Sequence, residues 1–222
     1  MVLASVVEAD RRSARERVYA YVRDGILTRR IKPGAFLEEE QVSAAVGVSR
    51  TPVREAFHRL AAERYLDLLP RRGALVRQVT AQELLDVYEV RRVIETHAAR
   101  RLCAEGKAVP ARAWELLREM QAEPAIDEHV ELDQAFHRSL IETLANDVLT
   151  EMYDALRSRQ QRVALSAFGA MPARIQVILA EHEALLGALT ARDAALAERV
   201  LERHLRPLAE VMAQLDGGSS NG

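Results

Sequence analysis

Three things are scarce in this chain. It has one cysteine, Cys103, in 222 residues, which excludes an internal disulfide and suits a reducing cytoplasm. No apolar run approaches the roughly 18 residues that a membrane span needs, so no membrane partner is expected. The opening residues Met1 to Glu8 lack the charged and long apolar regions of a secretion signal. Excess charge of one sign is also missing: 31 Lys/Arg against 33 Asp/Glu leave a net −2, unlike a uniformly basic protein. At 49% hydrophobic and 29% charged, the chain is globular and long enough for one large or two modest domains. The charge is partitioned: residues 11–78 hold 15 Lys/Arg and 8 Asp/Glu, a surplus of seven, and residues 79–222 carry a net −7. A basic front end and an acidic back end follow.

The front end is organised around Gly47-Val48-Ser49-Arg50-Thr51-Pro52-Val53-Arg54-Glu55-Ala56. Gly47 interrupts the pattern between two apolar runs and predicts a tight turn. Ser49 stands where a helix would begin and can accept a backbone N–H. Pro52 falls in the first turn, where its missing N–H costs nothing. Val53, Ala56, Phe57, Leu60 and Ala61 then make one apolar face, with Arg50, Thr51 and Arg54 on the other. With helices expected over 15–30, 38–46 and 50–63, this is a helix-turn-helix layout. Arginines at the head of its second helix can reach guanine O6/N7, and Ser49 and Thr51 can reach bases or phosphate. The plainer alternative is that Arg50 and Arg54 are surface charges of a small helical bundle.

Over residues 15–78 the string resembles the GntR family of bacterial transcription factors, which have a winged helix. Arg71 to Arg77, with Gly73 at the turn, follows the apolar run Tyr65 to Leu69 and looks like the wing. The resemblance implies DNA contacts by Ser49, Arg50, Thr51, Arg54, Arg72 and Gly73. The family often carries Glu-Arg in the helix before the recognition helix; here the pair is Glu39-Glu40, so a basic contact is missing at position 40.

Thr80 and Glu83 form a capping-box pattern and mark a boundary. Beyond it come helical patterns at about 81–105, 110–122, 128–145, 147–169, 173–190 and 193–215. Pro110 and Pro172 lie near two helix starts, and Pro207 should kink the last helix. The expected class is mainly α: residues 1–12 flexible, 13–78 a small α+β winged helix-turn-helix, 79–216 an all-α bundle for effector binding and dimerisation, and 217–222 a flexible tail.

In the bundle, Asp133 and His137 are four apart on one helix face, and His182 and His204 lie on two later helices. One carboxylate and three imidazoles suit a divalent transition metal, zinc first, then nickel or manganese. A single helical histidine is ordinarily surface or core, and His58, His97 and His129 are assigned nothing. The back end resembles the effector domain of the FadR subgroup of GntR factors, where an Asp-x-x-x-His pair and two later histidines bind metal. The resemblance implies that role for Asp133, His137, His182 and His204. It also implies that Arg91 helps bind the effector, a small organic acid that a guanidinium can grip bidentately. The bland reading of Arg91 is an i,i+4 pair with Glu95, and Arg92 is an alternative. Glu181 and Glu183 flank His182 and are expected to point elsewhere.

The reading is a cytoplasmic, homodimeric regulator of the repressor type that binds a double-stranded operator and answers to a carboxylate held beside a metal. No catalytic residue is assigned. The alternative is a metal-dependent enzyme built on the same four residues.

Overall fold

The computed structural model describes residues 13–70, 72–171 and 173–217; the side chains of 168–170, 214, 216 and 217 are outside that description. The expectations for residues 1–12, Arg71, Pro172 and 218–222 therefore lie outside the described residues. The chain divides into two compact units, Met1–Gln78 and Val79–Gly222.

In the first unit, α1 (Ala14–Leu27) starts on a reciprocal capping box, Ser13 Oγ accepting from Glu16 N and Glu16 Oε2 accepting from Ser13 N. Its Val18 and Val22 are fully buried. It ends three residues before the expected 30: Arg29 turns left-handed at φ 57° and Ile31 N folds back to Gly25 O at 2.7 Å. A short strand β1 (Phe36–Leu37) leads to α2 (Glu39–Val46) and α3 (Arg50–Ala62). Between them Gly47 sits at φ 69°, ψ 47° and caps α2 with its N–H on Ser43 O, a left-handed conformation suited to glycine. α3 buries Val53, Ala56, Phe57 and Leu60, the face that the spacing predicted. Ser49 holds the extended N-cap position, but its side chain makes no capping bond, contrary to expectation. Strands β2 (Leu66–Leu69) and β3 (Gly73–Val76) pair antiparallel and give the sheet order β1-β3-β2. This is a winged helix.

The second unit, among the described residues, is all helix: α4 (Ala81–Glu105), α5 (Ala111–Gln121), α6 (Ile126–Glu142), α7 (Asp147–Asp154), α8 (Arg157–Ala170), α9 (Arg174–Thr190), α10 (Ala194–His204) and α11 (Ala209–Gly217). Thr80 Oγ1 caps α4 by accepting from Glu83 N at 3.1 Å. The return bond is not made, because Glu83 accepts from Arg162 instead. Phe136, Leu116, Met120, Leu185, Leu186 and Leu201 fill the centre of the bundle. Two expected helices are each two. The 147–169 pattern breaks at Ala155-Leu156, between α7 and α8. The 193–215 pattern is interrupted at Leu205–Leu208 rather than kinked: Pro207 supplies no N–H and disfavours helical backbone at Arg206. Among the described residues no helix is long and apolar enough to cross a membrane.

Candidate functional site

At the head of α3, Arg50 and Thr51 are the first two helical residues, with exposed Ser49 before them and Arg54 a turn later. Arg72 is exposed in the wing turn, where its N–H bonds Leu69 O, and Gly73 opens β3. Both recognition-helix arginines are engaged within the unit, Arg50 Nη2 with Glu40 Oε2 at 2.8 Å and Arg54 Nε with Glu39 Oε2 at 2.7 Å.

In the helical unit the fold brings Asp133, His137, His182 and His204 together, all buried, with one ligating atom of each within 4.8 Å of the others. α6 supplies the first two, α9 the third and α10 the fourth. His137 Nε2 lies 3.1 Å from both His182 Nε2 and His204 Nε2. Asp133 Oδ1 lies 3.2 Å from His182 Nε2 and 3.9 Å from His137 Nε2. Nitrogens each bound at about 2.0–2.1 Å to one ion stand roughly 3.0–3.4 Å apart, so this spacing fits a shared cation.

The far sides of the rings strengthen that fit. Glu95 Oε2 lies 2.8 Å from His137 Nδ1, and Glu181 Oε2 lies 3.1 Å from His204 Nδ1. A neutral imidazole that presents its Nδ1 proton to a carboxylate keeps a lone pair on Nε2. Burial holds His204 below its ordinary pKa and pushes His182 down to about 3, which keeps both rings neutral. The Nε2 atoms of both rings stand 3.1 Å from His137 Nε2, close enough for the three to share one cation. His182 Nδ1, like His137 Nδ1, is buried without a hydrogen-bond partner among the described residues, and the His182 ring stacks on Phe136 with centroids 4.3 Å apart.

Behind His137 lies a buried charge relay of position rather than of protons. Glu95 Oε1 accepts from Arg91 Nε at 2.7 Å and from Tyr153 Oη at 2.9 Å. Burial works to raise the Glu95 carboxyl, but Arg91 and His137 prevail and hold it well below the usual carboxylate range. Arg91 is thus the partner of Glu95 and also a wall of the cavity. Its Nη2 is buried without a hydrogen-bond partner among the described residues. It lines a cavity together with Tyr88, Asp133, Gln160, Arg174 and His204. Arg92 is exposed and lines none of it.

The expectation for Glu181 is corrected. It does not point away from the cluster: buried at 3% exposure, it accepts from Arg174 Nη2 at 2.8 Å and Arg203 Nε at 3.2 Å while facing His204. Glu183 is exposed, as expected. Tyr153 and Arg174 were not singled out from the sequence: Tyr153 meets Glu95 across helices, and Arg174 meets Glu181 seven residues along the same helix, α9, a spacing shared by many surface pairs.

A winged helix joined to a helical bundle with a buried Asp/His₃ cluster defines a two-domain bacterial DNA-binding regulator. The model for bacterial regulatory proteins of the gntR family matches residues 14–76, and that for the FCD domain matches residues 86–207. The chain belongs to the GntR family and is a transcriptional regulator with an FCD effector domain. It is 27% identical over 206 residues to the HTH-type transcriptional repressor RspR of Escherichia coli (strain K12), covering 90% of this chain and 89% of that one. It is 30% identical over 208 residues to an uncharacterized HTH-type transcriptional regulator in an unstable DNA locus of Streptomyces ambofaciens, covering 90% and 86%. A crystal structure of a GntR regulator from Rhodococcus sp. RHA1 superposes with a TM-score of 0.69 at 27% identity, over 91% of this chain and 97% of that one.

Proposed function

We propose that this regulator is a repressor whose hold on its operator is modulated by a small organic acid, bound together with a divalent transition metal in the helical unit. The observation that carries the metal is the convergence of ligand atoms from Asp133, His137, His182 and His204 within 4.8 Å of one another, with carboxylates behind two of the rings. Asp133, His137, His182 and His204 would hold the ion, zinc first by ligand type. A bound ion supplies a Lewis-acidic end for a carboxylate. Arg91, with an unused Nη2 at the cavity, supplies a cationic grip for its other end. Repression is inferred from the E. coli relative RspR, a transcriptional repressor.

The protein acts in the cytoplasm, as a homodimer on two half-sites about one helical turn apart. Ser49, Arg50, Thr51, Arg54, Arg72 and Gly73 form the DNA-facing set. Sedimentation that finds only monomer at micromolar concentration, with and without DNA, overturns the dimer.

A metal-dependent enzyme on the same cluster is the weaker reading. The two carboxylates nearest the ligands, Glu95 and Glu181, are committed to arginines and to imidazole rings. Neither is placed as a free general base, and the relatives are named as regulators.

A ligand that bridges α4 with α6, α9 and α10 would fix their packing, and α4 begins at Ala81, five positions after β3 ends at Val76 in the chain. Modulation requires the acid to bind the DNA-bound and DNA-free forms with affinities that differ by about 1–3 kcal/mol. A thermal-shift screen of small carboxylates finds the acid, since 100 times its Kd adds about 2.7 kcal/mol. His137→Ala and His204→Ala should each lose bound metal by elemental analysis. Each should also lose the response to that acid in a gel shift, while DNA binding persists. Variants that respond as wild type does reject the mechanism.

A further inference from the structure

The two arginines at the head of α3 are held by neighbouring glutamates of α2, but by different edges. Glu39 takes Arg54 through Nε at 2.7 Å; Glu40 takes Arg50 through the terminal Nη2 at 2.8 Å. Arginine reads guanine by presenting two N–H groups together to O6 and N7. The contact on Arg54 leaves its terminal nitrogens outside the pair. The contact on Arg50 occupies one of them, so a two-pronged grip on guanine must displace Glu40. The glutamates also differ in setting: the Glu39 side chain is 26% exposed and that of Glu40 76%. Glu39 is held against the protein and can fix an angle, whereas Glu40 stands in solvent and fixes little.

We propose that Glu39 and Glu40 act on operator binding with opposite signs. Glu39 is a positioning residue that presets Arg54, which reduces the side-chain freedom lost on binding. Glu40 competes with DNA for Arg50, so it weakens binding and makes the regulator easier to release. The inference rests on the reading that Arg50 and Arg54 contact bases. It departs from what charge alone would give. Removing either carboxylate from a DNA-facing surface reduces repulsion from phosphates, so a pure charge effect tightens binding in both variants.

The test uses the full chain and a duplex selected by the wild-type protein from a random-sequence library. Dissociation constants are measured for Glu39→Gln, Glu40→Gln, Arg50→Ala, Arg54→Ala and the doubles Glu39→Gln/Arg54→Ala and Glu40→Gln/Arg50→Ala. Exposed ion pairs of this kind correspond to changes of up to roughly fivefold. Glu40→Gln should tighten binding by roughly two- to fivefold, and the gain should vanish without Arg50. Glu39→Gln should loosen it by a similar factor, and the loss should vanish without Arg54. Melting curves matching wild type confirm that the variants fold. The proposal is overturned if both glutamine variants tighten binding, if neither changes it, or if the effects persist without the partner arginine. If Arg50→Ala and Arg54→Ala both bind as wild type does, the base-contact reading falls, and this proposal with it.

Discussion

The two units use the same chemical pair for opposite ends. Arg54–Glu39 in the winged helix and Arg91–Glu95 in the bundle are both Nε-to-carboxylate contacts of 2.7 Å. The first lies at the surface, where solvent screening leaves an ion pair about 0–1 kcal/mol. The second has both side chains under 10% exposed, where loss of one partner strands a charge in a poorly solvated interior. The winged helix can therefore give up the Arg54–Glu39 pair at small cost to folding. The bundle cannot release Glu95 without consequences for Arg91, Tyr153 and His137 together. A surface pair is a reversible arrangement; a buried one is part of the frame that holds neighbouring side chains in place.

The largest test of that contrast is Glu95→Ala. It leaves Arg91 buried and unpaired and removes the acceptor of Tyr153, and should cost about 3–5 kcal/mol in urea unfolding. A loss below about 1 kcal/mol would mean that the pair behaves as a surface pair and would erase the distinction. Arg50→Ala and Arg54→Ala probe the other side. Each should weaken binding to the selected operator by about 1–3 kcal/mol, with unfolding midpoints unchanged. A fall in stability in place of affinity would show that these arginines serve the fold. The smallest effect is expected at the start of the bundle. Thr80→Ala removes the one side-chain cap on α4 and should cost about 1 kcal/mol. No change would mean that the Arg162–Glu83 contact already anchors that helix end.

Much of the architecture is legible in the sequence because local periodicity encodes it. The buried faces of α3 and α6 repeat at three and four residues, and Gly47 marks the turn that separates α2 from α3. What is less legible depends on partners distant in the chain. Glu181 adjoins His182 yet serves His204, which lies 23 positions away; on a helix, adjacent residues face different sides, so its role was invisible without the packing of α9 on α10. Tyr153 reaches Glu95 across 58 positions. The helix breaks were missed for a different reason. The apolar spacing continues through Ala155-Leu156 and past Pro207, so periodicity alone reads each as one helix. The Ser49 cap was expected from residue type, but its hydroxyl makes no capping bond and stays exposed.

The turn of the wing carries a consequence for how this gene tolerates variation. Gly73 has φ 130°, and a Cβ there would lie 2.1 Å from the carbonyl oxygen of Leu37, on the neighbouring strand. Every replacement adds that carbon, and none relaxes by choosing another rotamer, because the obstacle is backbone. In a saturation library selected for repression, position 73 should therefore be as intolerant as the fully buried Leu60, although it sits beside the exposed Arg72. Solvent exposure would misjudge it; the shape of the main chain decides.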